Sequence, residues 1–256
     1  MSKLSIIVPV YNEAPHLEKV LTYLFKSTCP IEREWIIVED CSSDDSLKVL
    51  TSLKSKMDFT LIEHKSNEGK GAAIRDALKV ATGDLVMIQD ADFEYDPADV
   101  PTLLEPLLNR SADVVYGSRF RQSAFQVHRT YHYFVNRILT ILSNLLSGIY
   151  LTDMETCYKV FRSDLIKPMQ IKSKRFGVEI ELTAYVAKTA ARLYELPIRY
   201  YPRTKLQGKK INWKDGVAAL FHLVRFNLIE SRENAFIDLP RFYLPSELRH
   251  SSFTNA

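Results

Sequence analysis

Short apolar runs return along the first part of the chain: LSIIVPV (residues 4–10), EWIIVED (34–40), FTLIEH (59–64), DLVMIQD (84–90) and ADVVYGS (112–118). Such runs, rich in β-branched residues, read as strands. Between them lie helical patterns. One runs from Ala14 to Lys26, with Pro15 in its first turn and Asn12 placed to cap it. A polar run, Ser42–Ser46, opens another that reaches about Lys56. NEGKGAAIRDALKVA (67–81) reads as a loop and a helix, and Pro97 to Leu108 as a helix. Strands and helices alternating at this spacing predict βαβ units, hence an α/β fold with a mostly parallel twisted sheet and helices on both faces.

After residue 118 the alternation breaks. Residues 129–149 predict a long helix rich in Leu and Ile, CYKVFR (157–162) a short strand, 178–190 a helix, LYELPIRYY (193–201) an extended segment, and Trp213–Glu230 a helix. The expected organisation is one domain over residues 1–230, divided near residue 118, and a tail over 231–256 that packs or stays mobile.

Composition is that of a globular chain that can bury a core: 46% apolar and 25% charged. Charge changes the picture more. Residues 1–105 hold 11 Lys and Arg against 19 Asp and Glu, a net −8, whereas residues 106–256 hold 23 against 12, a net +11. A cleft with a metal on one side and phosphates on the other fits this asymmetry; so do two differently charged solvated faces. Three cysteines without CxxC spacing argue against structural zinc and a disulfide framework and suit a reducing compartment. The first apolar run is too short for a signal peptide. No stretch reaches the roughly 20 apolar residues of a membrane helix.

The acids fall where ligands bind in parallel sheets, beyond the carboxyl ends of the strands. Glu13 follows the first strand, Asp40 ends the second, and Asp90 and Asp92 end the fourth, inside IQDADFEYDP. Two carboxylates at i and i+2 of an extended chain point to one side, and at a strand end they can converge on one divalent cation. Mg²⁺ or Mn²⁺ takes such hard oxygens and bridges to substrate phosphates. Glu94 is a candidate third ligand, while Asp96 before Pro97 reads as a helix cap. Capping is also the plain reading of the whole cluster. Two other nucleotide signatures are missing: GKGAAI (69–74) lacks the third glycine of a dinucleotide fingerprint and does not follow the first strand, and there is no GK[ST] of a P-loop. Gly69 and Gly71 therefore read as a tight turn before a helix.

VPVYNE (8–13), VEDCSSDDS (38–46), IQDADFE (88–94) and VYGSRF (115–120) occur in this order on successive strand ends. Together they resemble the family 2 glycosyltransferases of the GT-A fold. DMETCYKVF (153–161), FGVEIELTAYVAK (176–188) and YYPRTKLQGKKINWKDG (200–216) narrow the resemblance to the dolichyl-phosphate mannosyltransferase, or polyprenyl-phosphate glycosyltransferase, branch. It spans about residues 4–216.

The resemblance implies roles residue by residue. Pro9, Tyr11 and Glu13 would line the nucleotide pocket, Val38 and Asp40 would hold base and ribose, and Asp90, Ala91 and Asp92 would bind donor and metal. The family's third metal ligand is often a glutamine; Glu94 stands here instead. Arg119 matches an arginine that faces phosphate, and with Arg129 it is assigned to the acceptor phosphate. Arg203 and Lys209 match a basic pair that clamps phosphates, with Lys210 adjoining. Read singly, each of these cations is also an ordinary surface charge. Asp153 is given an organising role, holding an Arg or Lys, because a phosphate acceptor needs no strong base. Glu179 and Glu181, two apart on one helix, face different directions; one would touch the sugar, or both pair with lysines.

The implied activity is inverting transfer of a hexose from a nucleotide sugar, GDP-mannose favoured over UDP-glucose, to a polyprenyl or dolichyl monophosphate, with Mg²⁺ or Mn²⁺ as cofactor. The alternative acceptor is a glycan or protein hydroxyl, and a pocket that binds without turnover is a third. No nucleic-acid module is recognised in the basic half. Ile138–Leu151, with Arg129 and Arg137 ahead of it, reads as an interfacial amphipathic helix or a core helix covering the sheet. Val217–Ile229, flanked by Lys209, Lys210, Lys214 and Arg232, is a second lipid-facing candidate. The expectation is a peripheral enzyme on the cytoplasmic face of a membrane, with a small membrane anchor protein as partner.

Overall fold

Each apolar run becomes a strand; the central strands are buried on both faces, while FTLIEH, at the sheet edge, stays partly exposed. The computed structural model describes residues 2–121, 130–175, 177–203 and 213–249. Within them the first half folds as β1 (Lys3–Val10), α1 (Ala14–Lys26), β2 (Glu32–Glu39), α2 (Ser46–Leu53), β3 (Thr60–Glu63), α3 (Lys70–Val80), β4 (Leu85–Ile88), α4 (Val100–Leu108) and β5 (Val114–Ser118). The second half adds α5 (Thr130–Ser147), β6 (Lys159–Arg162), α6 (Ser163–Ile166), α7 (Val178–Ala187), β7 (Leu193–Pro197), α8 (Trp213–Val224), α9 (Arg232–Ala235) and α10 (Ser246–Arg249).

The strands form one sheet in the order β3-β2-β1-β4-β6-β5-β7. All neighbours are parallel except β6, which runs antiparallel to both β4 and β5. The chain steps from β1 outward to β2 and β3, then returns to place β4 on the other side of β1. That reversal opens a crevice at the carboxyl ends of β1 and β4. Glu13, Asp90 and Asp92 follow those two strands directly. Right-handed crossovers put α1 and α2, which pack side by side, on one face and α3 on the other.

One local expectation changes and one holds. Asn12 does not cap α1: its backbone is left-handed (φ 52°), which turns its side chain toward the β2–α2 loop, where Oδ1 accepts from Ser43 N at 2.8 Å. Asp44 takes over, accepting from Ala14 N at 3.0 Å and from Ser46 N at 3.0 Å, so one carboxylate serves the starts of α1 and α2. Asp96 does act as a cap, accepting from Ala98 N at 2.9 Å.

The long helix α5 has two characters. Leu139, Thr140 and Ser143 are buried, whereas Phe134, Ile138, Ile141 and Leu145 form an outward stripe in which each side chain is more than half exposed. Helix α8 and the π-helical turn after it (Arg225–Ile229) pack against α5 and expose Leu220, Phe221, Val224, Leu228 and Ile229. No helix among the described residues is long and apolar enough to cross a membrane. Residues 232–243 are stitched to the catalytic body: Gln170 N donates to Ala235 O, Ile237 N to Pro168 O, and the buried Tyr243 hydroxyl to Asp164.

The start of α3 sets how closely the second half approaches the first. Gly71 N donates to Lys174 O at 3.0 Å, and a Cβ on Gly71 would meet Ser173 O at 2.0 Å. Gly71→Ala is therefore expected to destabilise the protein by roughly 2–3 kcal/mol, as overpacking against backbone does. Urea unfolding of the two proteins measures it; equal midpoints would disprove the tight approach.

Candidate active site at the carboxyl ends of the strands

Five acids gather around one guanidinium and one ammonium. Arg203, from the segment after β7, donates from Nη2 to Asp92 Oδ2 at 2.6 Å and from Nη1 to Glu13 Oε2 at 3.1 Å. Its backbone N donates to Glu94 Oε1 at 2.7 Å, and its Nε lies 3.8 Å from that oxygen. Lys70, the first residue of α3, lies 2.8 Å from Asp90 Oδ1 and 2.8 Å from Glu179 Oε1. A cation at a helix N-terminus opposes the macrodipole. Its position between Gly69 and Gly71 is the sequence signal by which Lys70 could have been found; reading GKG only as a turn passed over it.

Protonation follows from these contacts. Burial pushes the Asp92 carboxyl up, the Asp90 charge adds to it and Arg203 opposes it, leaving it at about 7. Burial acts on Asp90 in the same direction, but the Lys70 ammonium holds it below the usual aspartate value. Lys70 stays charged against its own burial because Asp90 and Glu179 face it.

The other nucleotide-side positions fall around this cluster. Tyr11 is partly exposed beyond β1, and Pro9 lies two residues before it on the strand. The side chains of Val38 and Ala91 are buried in the core, so backbone is what those positions offer a ligand. Asp40 is buried and accepts from Glu68 N at 2.8 Å, Gly69 N at 2.7 Å and Asn67 Nδ2 at 3.1 Å, with His64 Nδ1 at 2.8 Å. Its carboxylate shapes the turn into α3. Arg129 and Lys209 lie outside the described residues, as does Lys210.

On the acceptor side, Arg119 and Asp153 form a buried bidentate pair: Nε to Oδ2 and Nη2 to Oδ1, both 2.7 Å, with Arg119 N to Oδ2 at 3.0 Å. The fork stacks over Tyr200, whose ring centroid is 5.1 Å from the guanidinium carbon. Nε–H and one Nη2–H are used on Asp153, which leaves three N–H groups for other oxygens. The loop carrying Asp153 is held from two more sides. Glu195 of β7 accepts from Thr152 N and Asp153 N, at 2.8 and 2.9 Å. Helix α5 contributes Asn144 to Leu151, Arg137 to Thr152 O and Thr140 to Met154 N.

The sequence does not single out Lys159, and Glu155 reads there only as an acid near Asp153 that could be mistaken for a catalytic base. Lys159 is buried, donates to Met154 O at 2.8 Å and to Thr156 O, and lies 4.6 Å from the Tyr116 ring centroid; burial pulls it down to about 8. Glu155 has a buried Oε1 with no hydrogen-bond partner among the described residues. Burial pushes its carboxyl up to about 7, and Glu179 adds to that.

Comparison with known proteins agrees with this arrangement. Residues 5–169 match the family model described as glycosyl transferase family 2. The UDP-N-acetylglucosamine–dolichyl-phosphate N-acetylglucosaminyltransferase of Methanococcus voltae is 27% identical over 213 residues, 76% of this chain and 84% of that protein. The dolichol-phosphate mannosyltransferase of Pyrococcus furiosus is 31% identical over 118 residues, 46% of this chain but 33% of that protein. Among solved structures, glucosyl-3-phosphoglycerate synthase from Mycobacterium tuberculosis, crystallised with Mn²⁺, UDP and glucosyl-3-phosphoglycerate, superposes with a TM-score of 0.69 at 17% identity, covering 90% of this chain and 81% of that one. That likeness is one of fold, and the fold is GT-A.

The raised Glu155 value has a stability consequence. Between the unfolded value of 4.5 and the folded value of about 7 the unfolded chain releases this proton and the native chain keeps it, so stability falls as pH rises through that window. Glu155→Gln removes the loss. The variant is expected to match wild type at pH 4.5 and to exceed it at pH 8 by on the order of 2 kcal/mol, roughly 4–8 °C in thermal unfolding. A constant difference across this range would refute the assignment.

Proposed function

The chain belongs to glycosyl transferase family 2, and on that premise we propose that it moves a hexose from a nucleoside diphosphate sugar to a polyprenyl monophosphate, with inversion at the anomeric carbon. The observation that carries this reading is the double role of α5. One face of the helix anchors the loop of Asp153 through Arg137, Thr140 and Asn144, and the neighbouring face presents an apolar stripe to solvent. A lipid acceptor needs its phosphate at the first face and its chain along the second. The dolichyl-phosphate acceptors named for the Methanococcus and Pyrococcus relatives support it.

Among the described residues no group of three acids stands arranged to hold a metal ion, but the donor chemistry suits a divalent cation. Oxygens of Glu13, Asp92 and Glu94 already converge on one positive group, and hard carboxylate oxygens are the donors that Mg²⁺ or Mn²⁺ takes. Asp90, Asp92 and Glu94 would hold the ion, which would supply Lewis-acid neutralisation of the departing nucleoside diphosphate. Arg203, no longer needed as their counter-ion, then turns its fork to phosphate, joined by Lys209. Arg119 uses its remaining N–H groups on the acceptor phosphate. Asp153 does not serve as a base, because both its oxygens are closed by Arg119. A phosphate oxyanion needs none; it needs position and a neutralised approach. GDP-mannose and UDP-glucose remain the donors of first choice, and the Methanococcus relative adds UDP-N-acetylglucosamine. The protein would work at the cytoplasmic face of a membrane, through α5 and α8 and with a small anchor partner.

Incubation of the protein with each radiolabelled donor, polyprenyl phosphate and Mg²⁺ or Mn²⁺ is expected to put label into the organic phase from one donor, and chelator to abolish it. Metal-dependent nucleotide binding without any lipid label would overturn the lipid acceptor in favour of a glycan or protein hydroxyl.

The membrane surface has its own test. Wild type is expected to sediment with vesicles containing anionic lipid. The double variant Ile138→Glu/Phe221→Glu is expected to lose at least about tenfold in partitioning, since it places two charges in the apolar face. Unchanged sedimentation would show that this face does not meet lipid.

A further inference from the structure

Two acidic side chains beside the active site carry buried oxygens that nothing in the described protein satisfies: Glu155 Oε1 and Glu179 Oε2. Buried polar atoms are nearly always paired, so an unpaired one beside a binding cleft points to a missing partner. Here the two belong together. Glu179 is the charged neighbour that acts most strongly on Glu155. Lys159, on whose ammonium both carboxyls act, is committed elsewhere: it donates to Met154 O and Thr156 O and lies over the Tyr116 ring. Lys70 satisfies the other oxygen of Glu179, Oε1, and does not relieve Oε2. A neighbouring hydroxyl, Thr156 Oγ1, is also buried and unpaired.

The chemistry of the missing partner follows. Two close carboxyl groups in a buried setting do not both ionise; one keeps its proton. Such a pair accepts a hydrogen bond at one oxygen and offers one from the other. A metal ion is a poor match, because two cations, Lys159 and Arg119, already act on Glu155. A second phosphate is a poor match beside the Glu179 carboxylate. A neutral ligand bearing hydroxyls is the match, since each hydroxyl both donates and accepts.

Position selects which hydroxyls. Glu179 and Asp90 share the Lys70 ammonium at 2.8 Å each, so the pair lies one cation away from the acids assigned to the diphosphate. On the nucleotide-sugar reading, the group joined to that diphosphate is the sugar. We propose that Glu155, acting with Glu179, is a specificity-determining residue that reads the ring hydroxyls of the donor hexose. The inference rests on the nucleotide-sugar reading above and adds a residue that decides which sugar is accepted. Glu155 contributes to affinity for the sugar and nothing to affinity for the nucleotide.

That separation is measurable by calorimetric titration of the full chain with UDP, GDP, UDP-glucose, GDP-mannose and UDP-N-acetylglucosamine in the presence of Mn²⁺. For the donor that wild type binds, Glu155→Leu is expected to weaken the nucleotide sugar about tenfold and to leave the sugar-free nucleotide within twofold. Glu155→Gln, whose amide still donates and accepts, is expected to stay within about threefold for both. Should Glu155→Leu fail to fold, Glu155→Asp tests the same point, because it withdraws the carboxyl by one methylene and should weaken the sugar selectively. Sugar and sugar-free affinities that fall together, or that do not change, would overturn this inference alone. A wild type that binds none of these nucleotides would overturn the nucleotide-sugar reading, and this inference with it.

Discussion

Five carboxylates, from Glu13, Asp90, Asp92, Glu94 and Glu179, lie against two cations, Arg203 and Lys70, at the carboxyl edge of the sheet. Two unit charges 4 Å apart interact by about 4 kcal/mol at the effective dielectric of a protein surface. A folded domain is stable by only about 5–15 kcal/mol. An uncompensated cluster of this size would therefore compete with the whole of the folding free energy. The cations are a condition of folding as well as of function. They also make the site exchangeable: a ligand that brings its own cation and its own anions can replace each internal pair with a new one.

The acceptor side obeys a different constraint. Its loop is pinned by Glu195 from β7, by Arg119 from the end of β5, and by three side chains of α5. Pinning fixes where a nucleophile is received, and position is the largest contribution a protein can make when the nucleophile is already an anion. It also removes Asp153 from acid–base work. Asp153 is fully buried and accepts two guanidinium N–H bonds and one backbone N–H, so it is shielded from an incoming hydroxyl.

Much of this was legible in the sequence, and the reasons are local. Buried parallel strands read as continuous apolar runs, so β1, β2, β4 and β5 stood out. Acids directly after such runs marked the crevice, because chain reversal at β1 fixes where ligands enter. What was not legible depends on contacts across long sequence separations. The reversed direction of β6 is set by its pairing with β4 and β5, not by its own four residues. The cap of α1 comes from Asp44, 30 residues away from Ala14. Lys159 sits in a strand that periodicity reads as apolar, and its place is understood only once two carbonyls and the Tyr116 ring are seen around it. Asp40 was read as a ligand for base and ribose, and its environment is filled by His64, Asn67 and two backbone N–H groups.

A transferase with the proposed lipid acceptor has to bring together a donor that lives in water and an acceptor that lives in lipid. The sheet solves the first half, since its carboxyl edge concentrates acids where a cation and a diphosphate can replace internal salt bridges. Helix α5 addresses the second half with a single element. Its 3.6-residue period separates Arg137, Thr140 and Asn144 from Phe134, Ile138, Ile141 and Leu145, so one face grips the Asp153 loop while the neighbouring one exposes an apolar stripe. The stripe and the loop are then separated by no more than the width of one helix, about 10 Å. A helix that loses its outer apolar stripe could keep a folded site and still be separated from its acceptor.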